Sequence, residues 1–289
     1  MNTSDLKSFN YLEDGSVTFS TLDTIKTIKS LDKGSYKLDW VDYPQYIVTV
    51  KKEDNNIEPP RIHTFPYKQK IDELLDSFFN KDVVDIINNK WGFCHKVGLL
   101  FYGKEGCGKT SIMKYYYNVI IDQHDGLVFH INNVKYLTNI WQFVMSVRKI
   151  QNNPIVILFD EFDAFMDERE ARMKSILDGL DSVNNCIFFA ATNYLTKIPH
   201  ALRNRPSRFK YVLDIEGIQS SKDVLDIIAP LLHHEFNSTE INSFSEKLKG
   251  ESIDSIKQFC LDKIMKLDSE IVNKNRIGFQ KEEVGTEPG

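Results

Sequence analysis

One eight-residue segment carries the residue types that hold a nucleotide triphosphate. It reads GKEGCGKT and follows the apolar run Val97 to Tyr102. Its glycines let the backbone curl so that successive N–H groups face inward, toward phosphate oxygens. A lysine then supplies positive charge and a threonine hydroxyl can bind Mg²⁺. The segment predicts a phosphate loop, which is lined by Gly103, Lys104, Glu105, Gly106, Cys107, Gly108, Lys109, Thr110 and Ser111.

Two carboxylates follow the apolar run Ile155 to Phe159 directly, at Asp160 and Glu161. A carboxylate at the C-terminal end of a strand beside a phosphate loop can steady Mg²⁺ through its waters. We therefore assign Asp160, together with Thr110, to the metal. Glu161 is then expected to orient and polarise the attacking water, because phosphoryl transfer gains mostly from positioning and charge compensation. In isolation, the same two residues would equally fit a strand that runs into an acidic loop.

Polar residues also end or follow a later apolar run. Asn193 closes the sequence Ala190-Ala-Thr-Asn193, and Arg205-Pro-Ser-Arg-Phe209 begins twelve residues further on. An amide at a strand end can contact both the γ-phosphate and the water, although a lone asparagine more often forms a turn. We therefore expect Asn193 to belong to the same site.

The central part of the chain predicts a parallel β-sheet. Segments long enough for crossover helices separate its apolar runs, and runs that are apolar on both faces suit strands covered on both sides. The expected fold class is therefore α/β, with a doubly wound five-stranded parallel sheet. The runs are Val97 to Tyr102, Leu127 to Ile131, Ile155 to Phe159, Cys186 to Ala190, and Tyr211 to Ile215.

Four regions follow from the changes in pattern along the chain. Residues 1–60 contain short alternating runs and predict a small β-rich unit that contacts a substrate or partner. Residues 61–217 form the α/β core, and residues 218–270, with three amphipathic stretches, form a small helical lid. Residues 271–289 lack periodicity and predict a flexible tail.

Composition narrows the possible partners. The formal charge of −5 over 289 residues disfavours a large nucleic-acid surface, which needs clustered Lys and Arg. No run approaches the roughly 18 apolar residues that span a bilayer, and the N-terminus has no apolar signal core. We therefore expect a cytoplasmic protein with no membrane contact. The four widely spaced cysteines predict reduced thiols rather than a zinc site.

The order of these motifs resembles the AAA family within the AAA+ ATPases, over about Ile62 to Leu267. The resemblance implies a P-loop NTPase fold of AAA+ type, ATP and Mg²⁺ as cofactors, ATP hydrolysis, and a homo-oligomeric ring, expected to be a hexamer. It implies that Asn193 is the first sensor. It also implies that Arg205 and Arg208 are arginine fingers that reach a neighbouring subunit's nucleotide, with Arg203 as a competitor for that role.

Several residues depart from the common family pattern. Lys104 and Glu105 replace two prolines of the phosphate loop, and no arginine stands at the second-sensor position in Gly250 to Asp254. Tyr136 and Leu137 occupy the place of a pore loop but lack its glycine, so Tyr136 either contacts substrate or packs on a helix. With Trp91-Gly-Phe93 and Cys107, these features look similar to the mitochondrial respiratory-complex-III assembly ATPase branch and its bacterial and phage relatives.

The resemblance implies a ring-forming, Mg²⁺-dependent chaperone-like ATPase that remodels, disassembles or translocates a protein substrate. A nucleic-acid motor or loader built on the same core is the alternative, and stimulation by DNA would favour it. A scaffold that binds nucleotide without hydrolysis is a third possibility, which the set of Asp160, Glu161, Asn193 and Arg208 disfavours.

Overall fold

The computed structural model describes residues 8–11, 17–20, 30–41, 47–53, 65, 67–132, 135–178 and 182–266. These residues form two compact units. The first contains the described residues within Met1–Gly103 and Lys109–Asp214, and the second those within Lys104–Gly108 and Ile215–Gly289. Residues 54–64 and the tail predicted at residues 271–289 lie outside the described residues.

The first unit contains a short antiparallel pair, β1 and β2, and a seven-stranded sheet. The order in the sheet is β4-β3-β6-β7-β8-β5-β9, and β4 is antiparallel to its neighbour whereas the other pairs are parallel. The strands are β1 Ser8–Tyr11, β2 Val17–Ser20, β3 Gly34–Val41, β4 Ile47–Lys52, β5 Lys96–Tyr102, β6 Leu127–Ile131, β7 Ile155–Phe159, β8 Cys186–Thr192 and β9 Tyr211–Asp214.

The parallel α/β sheet confirms the expected fold class, but it has two strands more than the five predicted. Both extra strands, β3 and β4, come from the segment assigned to a separate N-terminal unit. Gly34 to Leu38 pairs in parallel with Leu127 to Ile131, so this segment extends the central sheet. Alternation of apolar residues predicts a strand but does not identify its partner, and this explains the difference.

The described residues of the first unit also contain six α-helices. The central strands are buried along their whole length in β7 and β8, as expected for strands with helices on both faces. Trp141 of the helix after β6 stacks on Phe188 of β8 in the middle of this core. The helices are α1 Lys68–Phe79, α2 Lys81–Asp85, α3 Lys109–His124, α4 Leu137–Ile150, α5 Met166–Asp178 and α6 His200–Arg203.

A partly buried polar cluster lies between β3 and β6. The ring nitrogen Nε2 of His130 lies 2.8 Å from Ser35 Oγ and 3.2 Å from Glu53 Oε2, and the Ser35 hydroxyl donates to the same carboxylate. Burial lowers the pKa of His130, and the neighbouring Glu53 opposes this effect. The cluster satisfies polar groups that would otherwise be costly to bury between the two strands.

The second unit contains three helices around its own small core. This core includes Val224, Ile228, Ile241 and Ile256. Pro230 lies inside the first of these helices, which continues for two more residues to its end. The helices are α7 Ser221–Leu232, α8 Ser238–Lys247 and α9 Ile253–Ile264. Among the helices of the described residues, none has the length and apolar composition that a bilayer crossing requires.

Candidate active site

The predicted catalytic residues of the first unit emerge at one edge of the sheet. Tyr102, the last residue of β5, pairs with Thr192 at the end of β8, so Gly103 and Asn193 follow at adjacent positions. Phe159 pairs with Ala190, and Asp160 therefore leaves the sheet on the other side of β8. Because parallel strands present their carboxyl ends on the same edge, this is where an α/β sheet binds ligands.

The phosphate loop links β5 to the N-terminus of α3, which begins at Lys109. Gly106 and Gly108 have φ angles of 75° and 92°, in the left-handed region that residues with a Cβ rarely adopt. Lys109 is buried, and its ammonium donates to the carbonyl of Gly103 over 2.8 Å. Lys104 and Glu105 are exposed, Cys107 is buried and Ser111 is half-buried in the first turn of α3.

Two oxygen donors for a metal ion lie together in the first unit. The Thr110 hydroxyl is 3.2 Å from Asp160 Oδ2, and both side chains are exposed. A hydroxyl and a carboxylate suit Mg²⁺, which takes few protein oxygens and completes its shell with water and phosphate. Among the described residues, no group of three or more His, Cys, Asp or Glu forms a protein-only metal cage. The donor set therefore fits magnesium held jointly with a nucleotide.

Glu161 adopts an unusual backbone conformation for a residue with a side chain. Its φ is 52°, in the left-handed region, and its N–H donates to Asp160 Oδ1 over 3.2 Å. Its carbonyl accepts from the N–H of Ala164 over 2.9 Å, which closes the turn. The carboxylate is exposed at the strand-end edge, directly beyond Asp160.

Asn193 follows β8 and is half-buried. The contacts of the preceding residue, Thr192, were not predicted from the sequence. Thr192 Oγ1 donates to Asp163 Oδ1 over 2.7 Å and accepts from the N–H of Tyr194 over 3.0 Å. A polar residue at the end of an otherwise apolar strand, and a second aspartate shortly after Asp160, were the available signals.

The two predicted arginine fingers differ in exposure. The side chain of Arg205 is 59% exposed and its Nη1 lies 3.1 Å from Asp178 Oδ2. The side chain of Arg208 is only 9% exposed, with Nε 3.5 Å from the same carboxylate oxygen. Its Nη1 donates to the carbonyl of Ala201 over 2.6 Å. Arg205 is therefore available to a neighbouring molecule, and Arg208 is held within its own subunit.

This position of Arg208 differs from the predicted role, which requires an exposed guanidinium. The reason is the close approach of its backbone to strand β5. A Cβ at Gly98 would lie 2.0 Å from the carbonyl oxygen of Arg208, and the N–H of Lys210 donates to the Gly98 carbonyl over 2.8 Å. The turn that carries Arg208 is thus pressed against the sheet, and its side chain runs inward.

The aromatic residues singled out in the sequence also differ in exposure. Tyr136 lies just before α4, is half-buried and packs against the main hydrophobic core, with Lys135 Nζ 4.6 Å from its ring centroid. Of the two alternatives for Tyr136, substrate contact and packing, the structure shows packing. In contrast, Trp91 and Phe93 are 62% and 66% exposed, and their ring centroids are 6.1 Å apart.

In the second unit, the middle of the phosphate loop lies against the N-terminus of α9. The N–H of Asp254 donates to the carbonyl of Gly106 over 3.2 Å, and Ile253 lies close to Gly108. These two residues belong to the segment that corresponds to the second-sensor position. A backbone hydrogen bond and an apolar contact therefore occupy this position, in keeping with its lack of an arginine.

The chain is similar in sequence to known proteins. The model of the ATPase family associated with various cellular activities (AAA) matches residues 99–216. The outer mitochondrial transmembrane helix translocase of Danio rerio is 29% identical over 187 residues, which are 57% of this chain and 49% of the relative. ATPase family AAA domain-containing protein 2 of Homo sapiens is 26% identical over 189 residues, 57% of this chain and 13% of the relative.

A third relative is a cell division cycle protein 48 homolog of Archaeoglobus fulgidus. It is 30% identical over 150 residues, which are 45% of this chain and 20% of the relative. The chain thus spans about half the length of the translocase and smaller parts of the other two. These relatives are not named for the respiratory-complex-III assembly branch, so that narrower assignment stays a prediction.

The expected cytoplasmic location is wrong by this comparison, because the Danio rerio relative carries the outer mitochondrial membrane in its name. The expectation rested on the lack of a long apolar run in the sequence. Such a run bears on whether a chain crosses a bilayer and does not report the compartment in which a protein works.

Proposed function

We propose that this chain, an AAA ATPase by its domain at residues 99–216, assembles into a homo-oligomeric ring and uses ATP hydrolysis to remodel a protein substrate. The observation that carries the proposal is the convergence of Thr110, Asp160, Glu161 and Asn193 at one sheet edge, with an exposed Arg205 in the same unit. A hexamer is the expected ring size.

Lys109, Thr110 and Asp160 bind the nucleotide and its metal. Lys109 offsets the charge of the β- and γ-phosphates, together with the N-terminus of α3 and the loop N–H groups. Thr110 and Asp160 would hold Mg²⁺, the former directly and the latter through water. When bound, the metal would neutralise charge on the phosphate oxygens.

Glu161 and Asn193 act on the water that attacks the γ-phosphate. The Glu161 carboxylate accepts a hydrogen bond from this water and aims its oxygen at phosphorus. The Asn193 amide contacts the water and the γ-phosphate. Both residues act by positioning the reacting groups, and phosphoryl transfer gains most of its rate from such positioning.

Arg205 completes the site of the next subunit. Its guanidinium compensates negative charge on the phosphoryl group during transfer, so hydrolysis depends on assembly. Its exposure supports this role, and the internal contacts of Arg208 leave Arg208 as a support for the turn. In an isolated subunit, Asp178 is the partner of Arg205.

A protein is the proposed substrate class. The formal charge of −5 argues against a nucleic-acid motor. Similarity to a protein named as a transmembrane helix translocase supports work on polypeptides, and protein segments of apolar character are the first substrates to test. Stimulation of the ATPase by such segments, but not by DNA, would support this class.

The Glu161→Gln variant tests the chemistry. We expect it to bind ATP with affinity within about threefold of the unsubstituted chain, because the binding groups remain, and to hydrolyse it at least ~100-fold more slowly. Phosphate release and equilibrium binding of a fluorescent ATP analogue measure the two quantities separately.

Glu73→Gln is the matched control, because Glu73 is an exposed glutamate on α1 and does not belong to the proposed site. It should leave both quantities unchanged. Undiminished turnover in Glu161→Gln would remove Glu161 from the reaction, and failure of the unsubstituted protein to release phosphate would reject the proposed function as a whole.

A further inference from the structure

Asp163 has no role in the reaction described above, yet its carboxylate contacts residues of two segments near the strand ends. It lies in the short helical turn Phe162–Phe165 that follows Glu161, and its side chain is 14% exposed. One oxygen accepts from Thr192 Oγ1 over 2.7 Å, and the other lies 3.7 Å from Lys197 Nζ. This carboxylate thus spans β7 and β8 where both strands end.

The hydroxyl of Thr192 has a fixed direction. A carboxylate oxygen only accepts hydrogen bonds, so the hydroxyl must donate its proton to Asp163. A lone pair of the same oxygen then accepts from the N–H of Tyr194 over 3.0 Å. Thr192 is 1% exposed, so water does not compete for either bond. The two bonds fix the backbone on both sides of Asn193.

The backbone at Glu161 needs such support. A left-handed φ is unfavourable in a residue with a Cβ, and it persists only where surrounding contacts impose it. Asp160 holds the N–H of Glu161 and Ala164 holds its carbonyl. Asp163, two residues beyond Glu161, anchors this turn to the neighbouring strand.

We propose that Asp163 is a positioning residue, which through Thr192 fixes the Glu161 turn relative to Asn193. The carboxylate and the amide proposed to act on the water follow two different strands, β7 and β8, and the Asp163–Thr192 hydrogen bond is a side-chain link between the ends of those strands. This inference rests on the proposed function, since it assigns Asp163 to the geometry of that hydrolysis.

Thr192→Val is the sharpest test, because valine keeps the branched shape of threonine and removes only the hydroxyl. We expect turnover to fall about 30-fold while ATP affinity stays within about twofold, since misplacement by a fraction of an ångström affects the chemical step. Asp163→Asn should lower turnover less, and Thr192→Ser, which restores the hydroxyl, should keep most of it.

The double variant Asp163→Ala with Thr192→Val separates positioning from general damage. Both substitutions remove the same bond, so its turnover should match that of the slower single variant. Effects that multiply would overturn the proposal, as would parallel losses of turnover and ATP affinity. Thr192→Ser retains the hydroxyl, so a loss of turnover in this variant with normal thermal unfolding would also overturn the proposal.

Lys197→Gln distinguishes the hydrogen bond from the ion pair. The Lys197 side chain is 60% exposed and its contact with Asp163 is long, so turnover should stay within about twofold. An equal loss in Lys197→Gln and Thr192→Val would overturn the proposal.

If the proposed function fails, the unsubstituted chain does not hydrolyse ATP. If only this inference fails, the unsubstituted chain and Glu161→Gln behave as expected, and Thr192→Val turns over normally.

Discussion

At the scale of single residues, Gly98 shows how one missing side chain permits a contact between distant parts of the chain. It lies inside β5, where the backbone of Arg208 approaches so closely that a Cβ would lie 2.0 Å from a carbonyl oxygen and 3.0 Å from the Phe209 ring. A backbone atom cannot move aside as a flexible side chain can. Glycine is therefore required at this position for packing, not for conformational freedom.

Gly98→Ala should lower the free energy of unfolding by about 3 kcal/mol, because the added methyl group forces the turn at Arg208 away from the sheet. Urea unfolding followed by circular dichroism measures the change. Gly92→Asn is the control, since nothing lies within 4 Å of a Cβ at Gly92 and asparagine tolerates its φ of 66°. Equal stability of Gly98→Ala and the unsubstituted chain would show that the turn moves freely.

The sequence was sufficient to predict that Asp160 and Asn193 follow buried strands, while their roles in the site stay predictions. Each is recognisable from a few neighbouring positions, because a polar residue that ends a buried strand reaches the sheet edge. The burial of Arg208 and the bond between Asp163 and Thr192 were not predictable in this way. They depend on contacts between segments 29 or more residues apart, which local pattern does not report.

At the scale of elements, β3 and β4 enlarge the sheet beyond the five strands predicted from the apolar runs. All five of those strands were predictable, since continuous apolar runs indicate strands buried on both faces. The two extra strands were recognisable as strands but not as members of this sheet. Backbone pairing of β3 with β6 joins them to the sheet, and the cluster of Ser35, Glu53 and His130 adds side-chain contacts there; contacts of this kind leave no periodic signal in the sequence.

Attachment of β3 and β4 should weaken in acid. Burial lowers the pKa of His130, so the unfolded chain takes up a proton near pH 6.5 where the folded protein does not. The stability from neutral His130 is therefore complete above about pH 6.5 and declines as the pH falls below it. Between about pH 7.5 and about pH 5.5, His130→Gln should lose a few degrees less in unfolding temperature than the unsubstituted chain.

Thermal unfolding at several pH values measures this difference. His234→Gln provides the comparison, because His234 is exposed on the second unit and should leave the pH dependence unchanged. Parallel curves for His130→Gln and the unsubstituted chain would exclude His130 as the source of acid sensitivity.

At the scale of the whole molecule, the proposed ring divides one active site between two copies of the chain. One copy contributes the phosphate loop, Asp160 and Glu161, and the next contributes Arg205. Two defective variants should therefore repair each other when mixed. Lys109→Ala lacks the phosphate contact but retains Arg205, and Arg205→Ala has the opposite defect.

A mixture of equal amounts of Lys109→Ala and Arg205→Ala should hydrolyse ATP several-fold faster than the mean of the two separate variants. Phosphate release at protein concentrations that favour assembly measures this effect. A variant with both substitutions on one chain is the control and should not be rescued by either single variant. A rate equal to the mean would place Arg205 outside the neighbour's site.

The hydrogen bond between Lys109 and the carbonyl of Gly103 has a thermodynamic consequence for ligand capture. A lysine that is free in solvent must lose the motion of its four-carbon stem when an anion arrives, which opposes association by up to about 2 kcal/mol. In this protein the stem is buried and its tip is already tethered. The lysine stem is therefore ordered when the polypeptide folds. Under the proposed function, a bound nucleotide would replace the Gly103 carbonyl oxygen with a phosphate oxygen as the partner of the Lys109 ammonium.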